Sequence, residues 1–114
     1  MTYDALDLAN LSRSLNEALI LSALAQGPRH GYQLVQEIAQ ASGGDIRFKH
    51  GTLYPILHRL ELAGLIAGSW SDEGPRGKRR AYVLTDEGRG HLSALRCEWQ
   101  QLTAQLARSF GEGR

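Results

Sequence analysis

The stretch from Lys49 to Gly88 constrains this chain most, because its periodicity changes from helix to strand and back within one short span. It begins KHGTLYPILHRLELAGLI, passes through the basic run PRGKRR and closes on AYVLTDEG. Leu53, Ile56, Leu57, Leu60 and Leu62 recur at helical spacing, which predicts a helix over 51–63 with one apolar side. Its other side carries hydroxylic, aromatic and basic groups. Pro55 falls early enough that its missing N–H need break no interior bond. Gly64 stands where a left-handed C-cap is needed. Residues 65–71 and 79–84 then predict two short strands around the turn sequence DEGPRG. A groove-sized helix followed by a positively charged hairpin is how a winged helix-turn-helix grips duplex DNA. The expected fold class is therefore mainly α with a small β-hairpin.

The rest of the chain supplies the supporting helices. Residues 1–10 show no periodicity and are expected to form a loose arm. A first helix starts near Ser12 or Ser14, either of which can cap it. Leu11, Leu15, Ala18, Leu19, Leu21 and Leu24 form its apolar face, and Gly27 and Pro28 stop it. A second helix opens near His30 or Gly31, with Tyr32, Leu34, Val35, Ile38 and Ala39 at helical spacing. Thr85 reads as the N-cap of a last helix reaching about Ser109, with Asp86 and Glu87 favourable in its first turn. Gly88 and Gly90 weaken that start. Leu92, Leu95, Trp99, Leu102 and Leu106 follow at intervals of 3, 4, 3 and 4, an a/d seam that asks for a partner helix. The expectation is a homodimer built on these five residues, which suits two DNA half-sites. Packing of the seam onto the chain's own first helix is the competing reading. Residues 1–85 form the expected DNA-binding unit, and 86–110 the C-terminal dimerisation helix.

Charge placement agrees. Arg47 to Arg80 holds seven Lys/Arg against three acids, whereas the whole chain has a net charge of only +1. A basic centre on a slightly acidic body suits a phosphate-facing surface. The single cysteine, Cys97, allows no internal disulfide, so a reducing cytoplasm is expected. No apolar run approaches the ~20 residues of a membrane span, and no secretion signal is visible. The four histidines lack partners at metal-ligand spacing, and neither a phosphate loop nor a nucleophile–base pair is present. Neither an enzyme nor a cofactor is implied.

With GYQL at 31–34, GTLYPIL at 51–57, RLELAGLI at 59–66 and YVLTDEG at 82–88, the chain resembles the PadR family of bacterial transcriptional regulators. The resemblance covers residues 19–88, in order and spacing. It implies a winged helix-turn-helix with one C-terminal dimerisation helix, repressing transcription until an effector or signal releases it. Two departures stand out: Lys49 and His50 precede GTLYP where small or hydroxylic residues are common, and Ala81 replaces a frequent aromatic.

Thr52 and Tyr54 can donate to phosphate oxygens or base edges, and Lys49, His50, His58 and Arg59 surround them. Tyr54 could instead be a half-buried tyrosine. Gly51 could let helix amides approach a phosphate or could serve a steric role. The resemblance implies a phosphate contact for Tyr32, against a core role. In the hairpin, Arg76, Lys78, Arg79 and Arg80 are too many to be paired by Asp72 and Glu73 alone, so some must point away from the core, where they suit DNA. Arg80 is the one that could turn inward and cover apolar surface. Trp70 is expected to pack. Trp99, in mid-seam, is the candidate contact for a planar aromatic effector, or else a dimer anchor. The expected partners are therefore a palindromic DNA operator, a second copy of the chain and such an effector. A winged helix of another regulatory type, such as a MarR-like one, needs more flanking helices than this length provides. A winged-helix protein-interaction module without DNA binding is the rival from another class.

Overall fold

A computed structural model describes residues 8–71 and 79–111. The elements run α1 (Leu8–Leu24), β1 (Arg29–His30), α2 (Gly31–Ala41), α3 (His50–Leu62), β2 (Ile66–Ser71), β3 (Arg79–Leu84) and α4 (Asp86–Ser109). The three strands form one antiparallel sheet in the order β1-β3-β2. The mainly helical architecture with a small sheet is the expected one.

Apolar spacing explains how the helices meet. Ile20, Leu21 and Leu24 of α1 are buried against Leu34 and Ile38 of α2 and against Leu53, Ile56, Leu57 and Leu60 of α3. Each such aliphatic side chain contributes about 2 kcal/mol by leaving water. Ile20, absent from the expected apolar face of α1, is fully buried. Leu62, expected on the buried side of α3, is 77% exposed. It follows Leu60 by two residues, and at 100° per residue that turns it off the stripe. In the same way Leu15 lies at the rim of the core rather than within it.

Element boundaries differ from expectation in three places. Helix α1 is already formed at Leu8, so Ser12 and Ser14 are interior residues and not caps. Residues 8–10 belong to that helix, while the rest of the expected arm lies outside the described residues. Strand β1 was not anticipated, because two residues carry no periodicity; Arg29 and His30 pair with Tyr82 and Ala81. Pro55 is the sixth residue of α3, deeper than the first turn, so the carbonyl of Gly51 loses its i+4 donor. Gly51 is exposed, where an unpaired carbonyl costs little.

The junction from α3 through the hairpin to α4 is tightly specified. Gly64 follows the C-cap Ala63 at φ +77°, in the left-handed region where a side chain is strained. The Thr85 hydroxyl donates to the Gly64 carbonyl at 2.7 Å and accepts from the Gly88 amide at 3.0 Å. One side chain thus caps α4 and ties it to the end of α3. Gly88 has a stronger reason to be glycine than a weak helix start, because a Cβ there would overlap the carbonyl oxygen of Leu65. Replacing Gly88 by Ala should cost about 2–3 kcal/mol despite alanine's better helix propensity. Urea denaturation tests this, and an unchanged midpoint would mean that α4 can start further from Leu65.

Candidate nucleic-acid interface

Helix α3 is held by its apolar face, so its opposite face is free. Lys49, the N-cap, and His50, Gly51, Thr52, Tyr54, His58 and Arg59 are all exposed. The rings of His50 and Tyr54 stack along the helix, with centroids 6.0 Å apart and planes 18° apart. A Cβ on Gly51 would meet nothing within 4 Å. Among the described residues nothing therefore requires glycine there for space, and the first turn of α3 is open on its outer side.

Tyr54 is not a core residue. It is 45% exposed, and its ring lies over the start of α2, where a Cβ on Gly31 would come within 2.7 Å of the Tyr54 hydroxyl oxygen. Tyr32, 53% exposed, is also outside the core, and its hydroxyl accepts from Gln36 Nε2 at 2.9 Å. The α2 entry is braced by the His30 amide, which donates to Gln33 Oε1, and by the ion pair of Arg29 with Glu37 at 2.7 Å. Gly31 therefore sets how closely the two helices of the helix-turn-helix approach. Gly31→Ala should destabilise the fold by about 1–3 kcal/mol, and Tyr54→Ala should recover most of that loss in the double variant. Thermal unfolding of the four proteins is the measurement; simple additivity would mean that the two residues do not constrain each other.

The hairpin divides its cations. Register pairs Trp70 with Arg80, Gly68 with Tyr82 and Ile66 with Leu84, and alternation puts these pairs on the side that faces the body of the protein. Arg79 belongs to the opposite set and has no ion-pair partner among the described residues. Arg80 is engaged within the chain: its Nη2 donates to Glu61 Oε2 of α3 at 2.5 Å. Its guanidinium also lies over the rings of Trp70, at 5.4 Å, and Tyr82, at 5.9 Å. This is the inward placement held open for Arg80, and it sets Arg80 apart from the other cations of the expected DNA-facing set. Trp70 is corrected too, because it is 65% exposed and forms a wall rather than core packing. Burial pushes the Tyr82 phenol above its ordinary pKa, which keeps it neutral. Arg76 and Lys78 lie outside the described residues.

Between the α2 entry, α3 and the sheet lies a cleft of about 490 Å3, lined by His30, Gly31, Tyr32, Tyr54, Trp70, Arg79, Arg80 and Tyr82. It brings Tyr32 and Tyr54 together with the base of the hairpin. Glu61 and Gly68, which shape this side of the hairpin, were missed as functional residues. The available signal was a strand partner, since Gly68 stands two residues from Trp70 on the strand facing Arg80 and Tyr82.

The C-terminal seam is used differently from expectation. Leu92, Leu95 and Leu102 are buried within the single chain, and Leu92 and Leu95 belong to the same core as α1 to α3. Trp99 Nε1 donates to the Ser14 hydroxyl of α1 at 2.9 Å, and His91 lies 3.4 Å from Glu17. The competing reading, packing on the chain's own first helix, is the one realised for these residues. The buried leucines cannot also form an intermolecular seam in this arrangement. Trp99 and Leu106 are half-buried, and Phe110, just beyond the helix, is 73% exposed.

A helix pair whose second member exposes a polar and basic face, followed by an antiparallel sheet that carries a cationic hairpin, defines a winged helix-turn-helix protein. The model of the transcriptional regulator PadR-like family matches residues 20–94. The chain is 36% identical over 87 residues to the transcriptional regulator Rv3488 of Mycobacterium tuberculosis, covering 76% of this chain and 78% of that one. It is 30% identical over 73 residues to the negative transcriptional regulator PadR of Bacillus subtilis, covering 64% of this chain and 40% of that one. A transcriptional regulator from Clostridium thermocellum has the same fold, with a TM-score of 0.75, 29% identity, and coverage of 89% and 97% of the two chains. The chain belongs to the PadR-like family of transcriptional regulators, a family of regulators and not of enzymes. No helix among the described residues is long and apolar enough to cross a membrane.

Proposed function

We propose that the protein represses transcription by binding duplex DNA as a homodimer, with α3 in the major groove and the hairpin along the flanking backbone. The observation that carries this is the outer face of α3. Lys49, His50, Gly51, Thr52, Tyr54, His58 and Arg59 are exposed together, while the opposite face of the same helix is core. A helix that leaves this much hydrogen-bonding and cationic capacity outward, beside an Arg79 with no ion-pair partner among the described residues, suits phosphate contacts and base-edge readout. Tyr32, at the start of α2, adds a hydroxyl beside the same cleft. Repression is supported by the likeness to a negative transcriptional regulator. Relief by a planar aromatic effector rests on the family resemblance and on the half-buried Trp99 ring. An interaction module without DNA binding is separated from this reading by salt dependence.

Anisotropy titrations of duplex DNA at several salt concentrations should show steep salt dependence. Replacing Arg76, Lys78 and Arg79 together by Ala should weaken binding to all sequences and lower the slope by up to about three units. Thr52→Ala or His50→Ala should instead change preference, costing roughly 1–3 kcal/mol at particular base pairs. An unaltered slope in the triple variant would remove the hairpin from the interface. Selection of the same motif by the α3 variants would remove Thr52 and His50 from the readout.

The dimer contact follows from what the core leaves over. With Leu92, Leu95 and Leu102 enclosed, the apolar groups left partly or fully exposed on α1 and α4 include, among the described residues, Leu11 and Leu15 on α1, and Trp99, Leu106 and Phe110 toward the end of the chain. Burying these against a second copy would complete the outer half of α4. Leu15→Glu with Phe110→Glu places unpaired charges in that contact. Sedimentation should then give a folded monomer, and binding to a two-half-site DNA should collapse. A variant that stays dimeric would place the contact elsewhere.

A further inference from the structure

Arg80 combines three features that a phosphate-binding cation does not need. Its guanidinium donates to Glu61 across the gap between hairpin and recognition helix, with the two side chains 30% and 29% exposed. It lies over the indole of Trp70, its cross-strand partner. It also fills space that only glycine leaves open, since a Cβ on Gly68 would lie 2.8 Å from both Nε and Nη2 of Arg80. The hairpin is anchored at its base by the buried side chains of Ile66 and Leu84. Further out, the tie between Arg80 and Glu61 is the only polar bond from hairpin to α3 among the described residues. The Arg80 carbonyl meets His30 Nδ1 at 3.4 Å, so the same residue also touches the entry of α2.

We infer that Arg80, held by Glu61 and admitted by Gly68, is a positioning residue that fixes the angle of the hairpin against α3. This rests on the DNA-binding reading above and assigns within it a role that the count of wing cations hides. Charge-assisted hydrogen bonding gives the link its strength, and the aromatic faces of Trp70 and Tyr82 hold the guanidinium in one plane. The hairpin thereby presents Arg79 at one distance from the groove instead of many. Less conformational entropy is then lost when DNA binds. A carboxylate beside a DNA-facing helix repels phosphate, so by charge alone Glu61 should weaken binding. On this inference its net effect is to strengthen it.

Three full-length variants separate positioning from contact: Glu61→Gln, Arg80→Gln and Gly68→Ala. Each should weaken specific DNA binding about five- to tenfold while leaving the salt slope unchanged. The double variant Glu61→Gln with Arg80→Gln should be no worse than either single change. Gly68→Ala is the most telling, because it displaces the guanidinium without altering any charge. The three atoms nearest the added Cβ all belong to the guanidinium end of Arg80, which can shift without moving the backbone, so the fold should be retained. Amide hydrogen exchange in the unbound protein should speed up in the outer halves of β2 and β3 in all three. A slope lower by about one unit in Arg80→Gln, with tighter binding by Glu61→Gln, would make Arg80 a phosphate contact and overturn the inference. If wild-type binding shows no salt dependence, the functional reading fails by itself, and the exchange measurement then decides: unchanged hairpin protection in the variants overturns positioning. Should Arg80→Gln not fold, the other two variants carry the same comparison.

Discussion

Leu53, Leu57 and Leu60 lock one side of α3 onto α1 and α2, and this anchoring is what lets the other side be largely polar. A short helix is marginal in water by itself and takes its stability from the face it buries. With that face closed by fully buried leucines, the outward positions are released from any duty to the fold. Thr52, His50, His58 and Arg59 can then vary with the target without loss of structure. Tyr54 is the exception, since its ring also sets the spacing to Gly31. On the proposed reading it belongs to fold and interface at once, and substitution there would change both.

The helical periodicity of α3 and the turn chemistry of 64 and 85–88 were legible because each is local. Gly64 needs a positive φ, and Thr85 needs only the next turn of α4 to cap it. The destination of the α4 seam was not legible. A heptad pattern states that a helix has a partner but not which one, and Leu92, Leu95 and Leu102 find theirs in the same chain. Trp99 shows the same ambiguity, as its indole N–H is satisfied by Ser14 of α1. Ser14 in turn looked like a cap because nothing in the sequence marks a helix that has already begun. Strand β1 was invisible for a related reason: its two residues are strand only because β3 lies beside them.

The hairpin shows how far alternation alone can carry an argument. Period two implies that adjacent Arg79 and Arg80 face opposite ways, and the pairing with Trp70 together with the contact to Glu61 settles that Arg80 is the inward one. What alternation cannot supply is the acid that receives the inward charge. Glu61 lies on another element, 19 positions away, next to His58 and Arg59 in a segment otherwise dominated by bases. Seen in sequence, it is a flaw in a basic patch; in the fold it is the fixed end of the hairpin's brace.

That brace changes how the charge of the central segment should be counted. Seven Lys/Arg against three acids between Arg47 and Arg80 suggests diffuse attraction for phosphate. Removing the Arg80–Glu61 pair leaves the balance at +4 but lowers both totals by one, so fewer cations are free to displace counterions. The salt slope depends on how many phosphates are neutralised, not on net charge. Arg47 is also partly engaged, donating through Nε to the Gly44 carbonyl. Of the described cations of this segment, Arg47, Lys49, Arg59 and Arg79 have no acidic partner, and the last three belong to α3 with its N-cap and to the hairpin. They lie on two elements whose relative angle Arg80 sets. Affinity in such an arrangement is governed by whether these few charges reach their phosphates together. Loss of the brace would therefore act through geometry even though every contacting residue is still present.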